Sequence, residues 1–145
     1  MEIISNSPQE TFALGEKIAR CLCGGCVVAL EGTLGSGKTY MAKGIASGLG
    51  IKENLTSPTY TIICEYPFVS KEGETFLYHI DAYRLNNEED FDETGGGQLI
   101  CGGGISVIEW SDRISKSLPP DAIKINIAIT GNESRLIRIN GLESL

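Results

Sequence analysis

The chain has 145 residues, enough for one domain and too few for two ordinary ones, and a domain of this size buries about 68–70% of its unfolded surface without help from disulfides or a metal. Hydrophobic residues at 41% and charged residues at 21% exclude global disorder, and no apolar run reaches the ~18–20 residues of a membrane helix. Twelve Lys and Arg against nineteen Asp and Glu give a net charge of −7, which argues against unaided nucleic-acid binding but leaves room for a small phosphate ligand at a local basic site.

Residues 1–11 hold no basic segment followed by an apolar one, so no secretory leader is expected. Ser7, Pro8 and Glu10 together form a helix start, and Phe12, Leu14, Ile18, Ala19 and Leu22 follow before Gly24-Gly25 stops the helix. Residues 26–30 form a short apolar run, the mark of a strand buried on both faces. A cluster of glycines over 32–37 then leads into a second helix over 38–49. Thr56-Ser57-Pro58-Thr59 is a polar loop. Strands are expected over 60–66 and 75–81, with a turn around Lys71-Glu72-Gly73. A short acidic helix is expected over 88–93. The triplets Gly95-Gly96-Gly97 and Gly102-Gly103-Gly104 read as too flexible for regular elements. An apolar run over 105–110 precedes two alternating segments, 123–129 and 136–139, which read as a hairpin about Gly131-Asn132. The sum is a single α/β domain whose mixed sheet has a parallel core and antiparallel additions, with helices on both faces.

Five cysteines, at 21, 23, 26, 64 and 101, form an odd set that reads as reduced thiols in a cytoplasm. Cys23-Gly24-Gly25-Cys26 has the C-x-x-C spacing, but it closes a helix and opens a strand, the reverse of a redox dithiol's usual setting. The only histidine, His79, is far away in sequence, so a four-ligand zinc site is not expected. The cysteines are therefore read as small buried hydrophobes, and His79 as a core or strand-surface residue.

Gly32-Thr33-Leu34-Gly35-Ser36-Gly37-Lys38-Thr39 matches G-x-x-x-x-G-K-[ST] without a gap. Glycines let successive N–H groups surround a polyphosphate. Lys38 brings a point charge to it, Thr39 offers a hydroxyl to Mg²⁺, and the helix N-terminus adds positive potential. Leu34, Gly35, Ser36, Gly37, Lys38, Thr39 and Tyr40 are thus expected along the nucleotide. There is no Asn-Lys-x-Asp element to read guanine, and Asp92-Glu93-Thr94-Gly95 follows an acidic segment rather than an apolar strand, so ATP is favoured over GTP. Asp81 and Glu109 each end an apolar strand. In an open α/β sheet the ligand lies at the carboxyl ends of strands, so one acid is expected to orient metal and the other to position water. Glu109 is assigned to the metal, alongside Thr39, and Asp81 to the water, although the two roles are interchangeable on sequence. Two other classes share these features, a nucleotide-dependent adaptor and a small-molecule kinase.

Five blocks occur in one order: the 32–39 loop; Ser57-Pro58-Thr59-Tyr60 followed by Glu65-Tyr66; His79-Ile80-Asp81-Ala82-Tyr83-Arg84-Leu85; Glu109-Trp110; and Leu118-Pro119. Over nearly its whole length the chain thus resembles the bacterial TsaE (YjeE) family, P-loop ATPases of tRNA threonylcarbamoyladenosine synthesis. The resemblance implies ATP and Mg²⁺ as cofactors, TsaD and TsaB as partners, and an indirect relation to tRNA through them. It places functional weight on Lys38, Thr39, the loop ending at Thr59, Asp81, Glu109 and Trp110. One stretch departs from the family pattern: between Leu85 and Ile105 the glycine triplets stand where a more regular segment is usual.

Overall fold

Ser7 opens the first helix as its spacing predicts. It is extended at φ −158°, its hydroxyl accepts the Glu10 N–H at 3.1 Å, and Pro8 follows in the first turn of α1 (Pro8–Ala19). The Glu10 carboxylate accepts from Asn6 N at 2.7 Å, one residue further out than a standard capping box. The computed structural model describes residues 1–56 and 62–145. Seven further helical or strand elements follow in the expected order: β2 (Val27–Glu31), α2 (Lys38–Gly48), β4 (Gly73–Asp81), α3 (Glu88–Glu93), β5 (Ile105–Glu109) and the hairpin of β6 (Ile123–Ile129) with β7 (Arg135–Asn140). The expected strand over 60–66 is β3 (Ile63–Ser70), which runs further toward its turn; residues 57–61 lie outside the described residues. The short β1 (Glu2–Ser5) was not legible in the sequence, and a 3₁₀ segment (Ser111–Ser117) follows β5.

Among the described residues seven strands form one sheet, in the order β1-β7-β6-β2-β5-β4-β3. Strands β6, β2, β5 and β4 run parallel, while β1, β7 and β3 add antiparallel pairs on the two flanks. This is the expected parallel core with antiparallel additions, and the additions stand at both edges of the sheet. Pro67 is tolerated because β3 is an edge strand. Apolar side chains alternate along the central strands and build a core on each face. Val28 and Leu30 pack with Met41 and Ile45 beneath α1 and α2, while Val27 and Ile108 pack with Phe91 and Ile100 beneath α3 and α4 (Gly96–Ile100). Helices α1 and α2 meet at backbone distance, since a Cβ on Gly15 would stand 2.6 Å from the Met41 carbonyl. Among the described residues no helix is long and apolar enough to cross a membrane.

Two expectations fail here. The first glycine triplet is not excluded from regular structure: Gly96 and Gly97 begin α4, with Gly95 at φ 82° as its N-cap. Gly96 is buried because only a residue without a Cβ fits under the Phe91 ring. The 85–105 segment is thus more regular than its composition suggests. The cysteines are not buried hydrophobes either: Cys21, Cys23 and Cys101 are exposed, and Cys26 and Cys64 are half-buried. They occupy turns, element ends and an edge strand, which the core does not cover.

Candidate functional site

Three parallel strands, β2, β5 and β4, deliver their carboxyl ends to one place. Register sets Leu30 beside Glu109 and Asp81 beside Glu109, so both strand-end acids flank the start of the 32–39 loop. Loop geometry then follows from its glycines. Gly32 is packed tightly, a Cβ there falling 2.7 Å from the Ile127 carbonyl. Gly35 at φ 77° and Gly37 at φ 107° adopt left-handed backbone that other residues rarely take. A Cβ on Gly35 would meet nothing within 4 Å, so the loop presents bare backbone on that side. Helix α2 begins at Lys38 with no side-chain cap on its first N–H groups, which leaves them suited to an anion.

Lys38 is buried, and its Nζ donates to the carbonyls of Gly32 at 2.7 Å and Thr33 at 3.0 Å. The same ammonium stands 4.0 Å from the centroid of the Trp110 ring. Burial pushes its pKa down, opposed by the nearby carboxylates of Glu109, Asp112 and Asp81. Thr39 Oγ1 donates to Glu109 Oε1 at 3.0 Å. Glu109 Oε2 is held in turn by His79 Nε2 at 2.5 Å, with both side chains buried. His79 is therefore a core residue, as read, but its ring also fixes the site carboxylate; its Nδ1 is buried with no hydrogen-bond partner among the described residues. Asp81 is only partly buried, and its Oδ1 accepts the Tyr83 N–H at 3.0 Å.

Trp110 is the one non-glycine residue at positive φ among those described, at 57°. Such a conformation costs about 1–3 kcal/mol and marks a constrained position. It turns the ring toward Lys38 and against Tyr83, whose centroid is 4.9 Å away. The Arg113 guanidinium lies 5.3 Å from the centre of the Tyr83 ring.

Sequence reasoning missed Arg135. Its Nε donates to Ser36 O at 2.9 Å and its Nη2 to Gly35 O at 3.1 Å, while Nη1 reaches the carbonyls of Gly131 and Ser134. The side chain ties the β6–β7 turn to the glycine loop across 99 residues of sequence. A usable signal was present: β6 runs parallel to β2, so the turn after it must emerge at the end of the sheet that carries the loop.

Leu34, Gly35, Ser36, Gly37, Lys38, Thr39, Tyr40, Asp81, Glu109 and Trp110 all line one cleft of about 360 Å³, together with Tyr83, Glu133 and Arg135. Of the candidate residues only Thr59 is not placed there, because residues 57–61 lie outside the described residues. The donor set fits a polyphosphate with Mg²⁺: an ammonium and open helix N–H groups for the anion, a hydroxyl and carboxylates for a hard cation. No three His, Cys, Asp or Glu side chains converge as a metal cage among the described residues.

The family model described as threonylcarbamoyl adenosine biosynthesis protein TsaE matches residues 5–137. The chain is 40% identical over 139 residues to the tRNA threonylcarbamoyladenosine biosynthesis protein TsaE of Treponema pallidum, covering 96% of this chain and 99% of that one. It is 39% identical over 131 residues to the protein of the same name from Bacillus subtilis, covering 90% and 79%. The crystal structure of Bacillus subtilis YdiB superimposes with a TM-score of 0.69 at 34% identity, covering 94% of this chain and 82% of that one.

Proposed function

This chain belongs to the TsaE family of threonylcarbamoyl adenosine biosynthesis proteins, and on that premise we propose that it serves tRNA threonylcarbamoyladenosine synthesis as a Mg²⁺-dependent ATPase stimulated by the TsaD and TsaB proteins. The observation that carries the reading is the 3.0 Å bond from Thr39 Oγ1 to Glu109 Oε1 beside the buried ammonium of Lys38. Lys38 and the open N–H groups of the loop bind the phosphates. Thr39 and Glu109 would hold Mg²⁺, and His79 keeps the Glu109 carboxylate turned toward Thr39. When bound, the metal neutralises charge that builds on the phosphates. Asp81, at the neighbouring strand end and more open to solvent, orients the attacking water. Trp110 and Tyr83 close the cleft on the side of the lysine.

Hydrolysis by the chain alone is slow in this account. Fast phosphoryl transfer in such loops usually needs an arginine that completes the transition-state charge, worth ~10³–10⁵-fold. The Arg135 guanidinium is engaged with backbone carbonyls and that of Arg113 lies over Tyr83. A partner is left to supply the missing group or to reposition one of these. With a net charge of −7, the chain meets tRNA through its partners, in the cytoplasm.

The test is steady-state phosphate release from ATP in four mixtures: the chain alone, with tRNA, with TsaD and TsaB, and with all of them. Stimulation is expected wherever the partners are present, and little change with tRNA alone. Equal rates in all four mixtures contradict the reading. ATP-dependent association without turnover would make the chain an adaptor, and ADP formation that requires another phosphate acceptor would make it a kinase.

A further inference from the structure

None of the cysteines takes part in the proposed chemistry, yet two of them are brought together. Cys26 N donates to Cys23 O at 3.1 Å, so residues 23–26 form a β-turn, with Gly25 at φ 91°. Such a turn keeps its first and fourth Cα atoms within about 7 Å, close to the span a disulfide bridges. The two Sγ atoms lie 3.6 Å apart, and the Cys23 N–H donates to Cys26 Sγ at 3.4 Å. Cys23 is exposed and Cys26 half-buried. By contrast, Cys21 Sγ is directed at the carbonyls of Lys17 and Ser144, at 3.8 and 3.7 Å.

We propose that Cys23 and Cys26 form a reversible dithiol–disulfide site, oxidised by low-molecular-weight disulfides and reset by the corresponding thiols. The exposed Cys23 thiolate attacks one sulfur of the small disulfide. An S–S bond forms to Cys23 and one small thiol leaves with a proton. Cys26 then loses its proton and attacks Cys23 Sγ, so the intrachain bond forms and the second small thiol is released. Two protein thiols are oxidised, and the small disulfide takes up the two electrons and two protons as two thiols. Burial raises the Cys26 thiol, which suits the inner position of a resolving group better than that of the entry nucleophile.

Closure is a local clip. The turn is bonded to the start of β5, through Gly25 N to Gly104 O at 2.9 Å and Ser106 N to Cys26 O at 3.0 Å. The intrachain bond therefore pins the junction of α1, β2 and β5. That junction is the opposite end of β2 from the glycine loop, roughly 16 Å away at the strand rise per residue. Redox state is expected to change the protection of this junction and to leave nucleotide affinity alone.

The experiment equilibrates the full chain with graded ratios of oxidised to reduced glutathione, alkylates the remaining thiols and maps the peptides. The expected product is a monomer in which residues 23 and 26 are linked and resist alkylation together, while Cys21 and Cys101 still react. Cys26→Ser, which lacks the resolving thiol, is expected to accumulate glutathione on Cys23. The proposal is overturned if the unaltered chain accumulates glutathione adducts without the 23–26 link. It is also overturned by oxidation that runs instead through Cys21 or Cys101 between chains, or by a stoichiometric zinc ion retained on the pair.

Discussion

The 32–37 loop and the 95–104 segment are both rich in glycine, and they use it differently. In the loop, Gly32 is packed against the Ile127 carbonyl, but Gly35 and Gly37 supply conformation and access: both take positive φ, and a Cβ on Gly35 would point into open space. In the second segment it mainly supplies room. Gly96 lies under the Phe91 ring, and a Cβ on Gly104 would stand 2.8 Å from the Phe76 carbonyl. Only Gly95 there needs a left-handed backbone, as the N-cap of α4. A glycine that answers a ligand belongs to a motif and can be recognised by its spacing. A glycine that answers a neighbour cannot, because the neighbour is not named by the local sequence. The loop and the strand ends around it should therefore govern chemistry, and the 95–104 segment should govern stability.

That division is sharpest at Asp81. Asp81→Asn keeps the shape of the strand end but gives a weaker water-orienting group, so phosphate release with the partners present should fall by ~10²–10⁴-fold. The melting temperature should hardly move. A parallel loss of folding would show Asp81 to be a structural residue and erase the contrast.

Next in size is the paired substitution Gly96→Ala and Gly35→Ala. The first forces a methyl against Phe91 and should cost about 1–3 kcal/mol of stability, while the folded protein binds ATP as before. The second strains a left-handed position by about 1 kcal/mol, and its main effect should be weaker ATP binding. Thermal melts and calorimetric titrations of both variants check this. An exchange of the two phenotypes would invert the assignment.

Titration of Lys38 gives a smaller effect. Burial lowers its pKa, so it loses its proton at a lower pH than an exposed lysine does. ATP affinity should therefore fall as pH rises through that lowered range, and a Lys38→Ala variant should lack this alkaline limb. For stability the sign is opposite, since the charged form is the one that burial penalises. The penalty is full at neutral pH and relaxes as the pH rises through the lowered folded pKa toward the ordinary lysine range. Affinity measured across the alkaline range, with buffer controls for the nucleotide itself, tests the limb.

The same contrast explains what was legible in the sequence. The order of the elements, the parallel core and the two strand-end acids follow from local pattern, since apolar runs, caps and turn residues report on themselves. The contacts that cross the sheet do not. β1 has four residues and exists because β7 offers it an antiparallel partner. The Arg135 tether to Ser36 and the His79 bond to Glu109 depend on strand order, which no single segment encodes. The cysteines lie outside the core because residue type predicts burial only on average, and here they fall in turns, element ends and an edge strand.

The central claim is that Lys38 and the loop around it form a phosphate-binding site, and a calorimetric titration of Mg²⁺-ATP into the full chain and into folded Lys38→Ala tests it most directly. Loss of a charge-assisted contact worth ~1.5–3 kcal/mol predicts affinity lower by roughly tenfold to a hundredfold in the variant. Equal affinity in the two proteins would contradict the account.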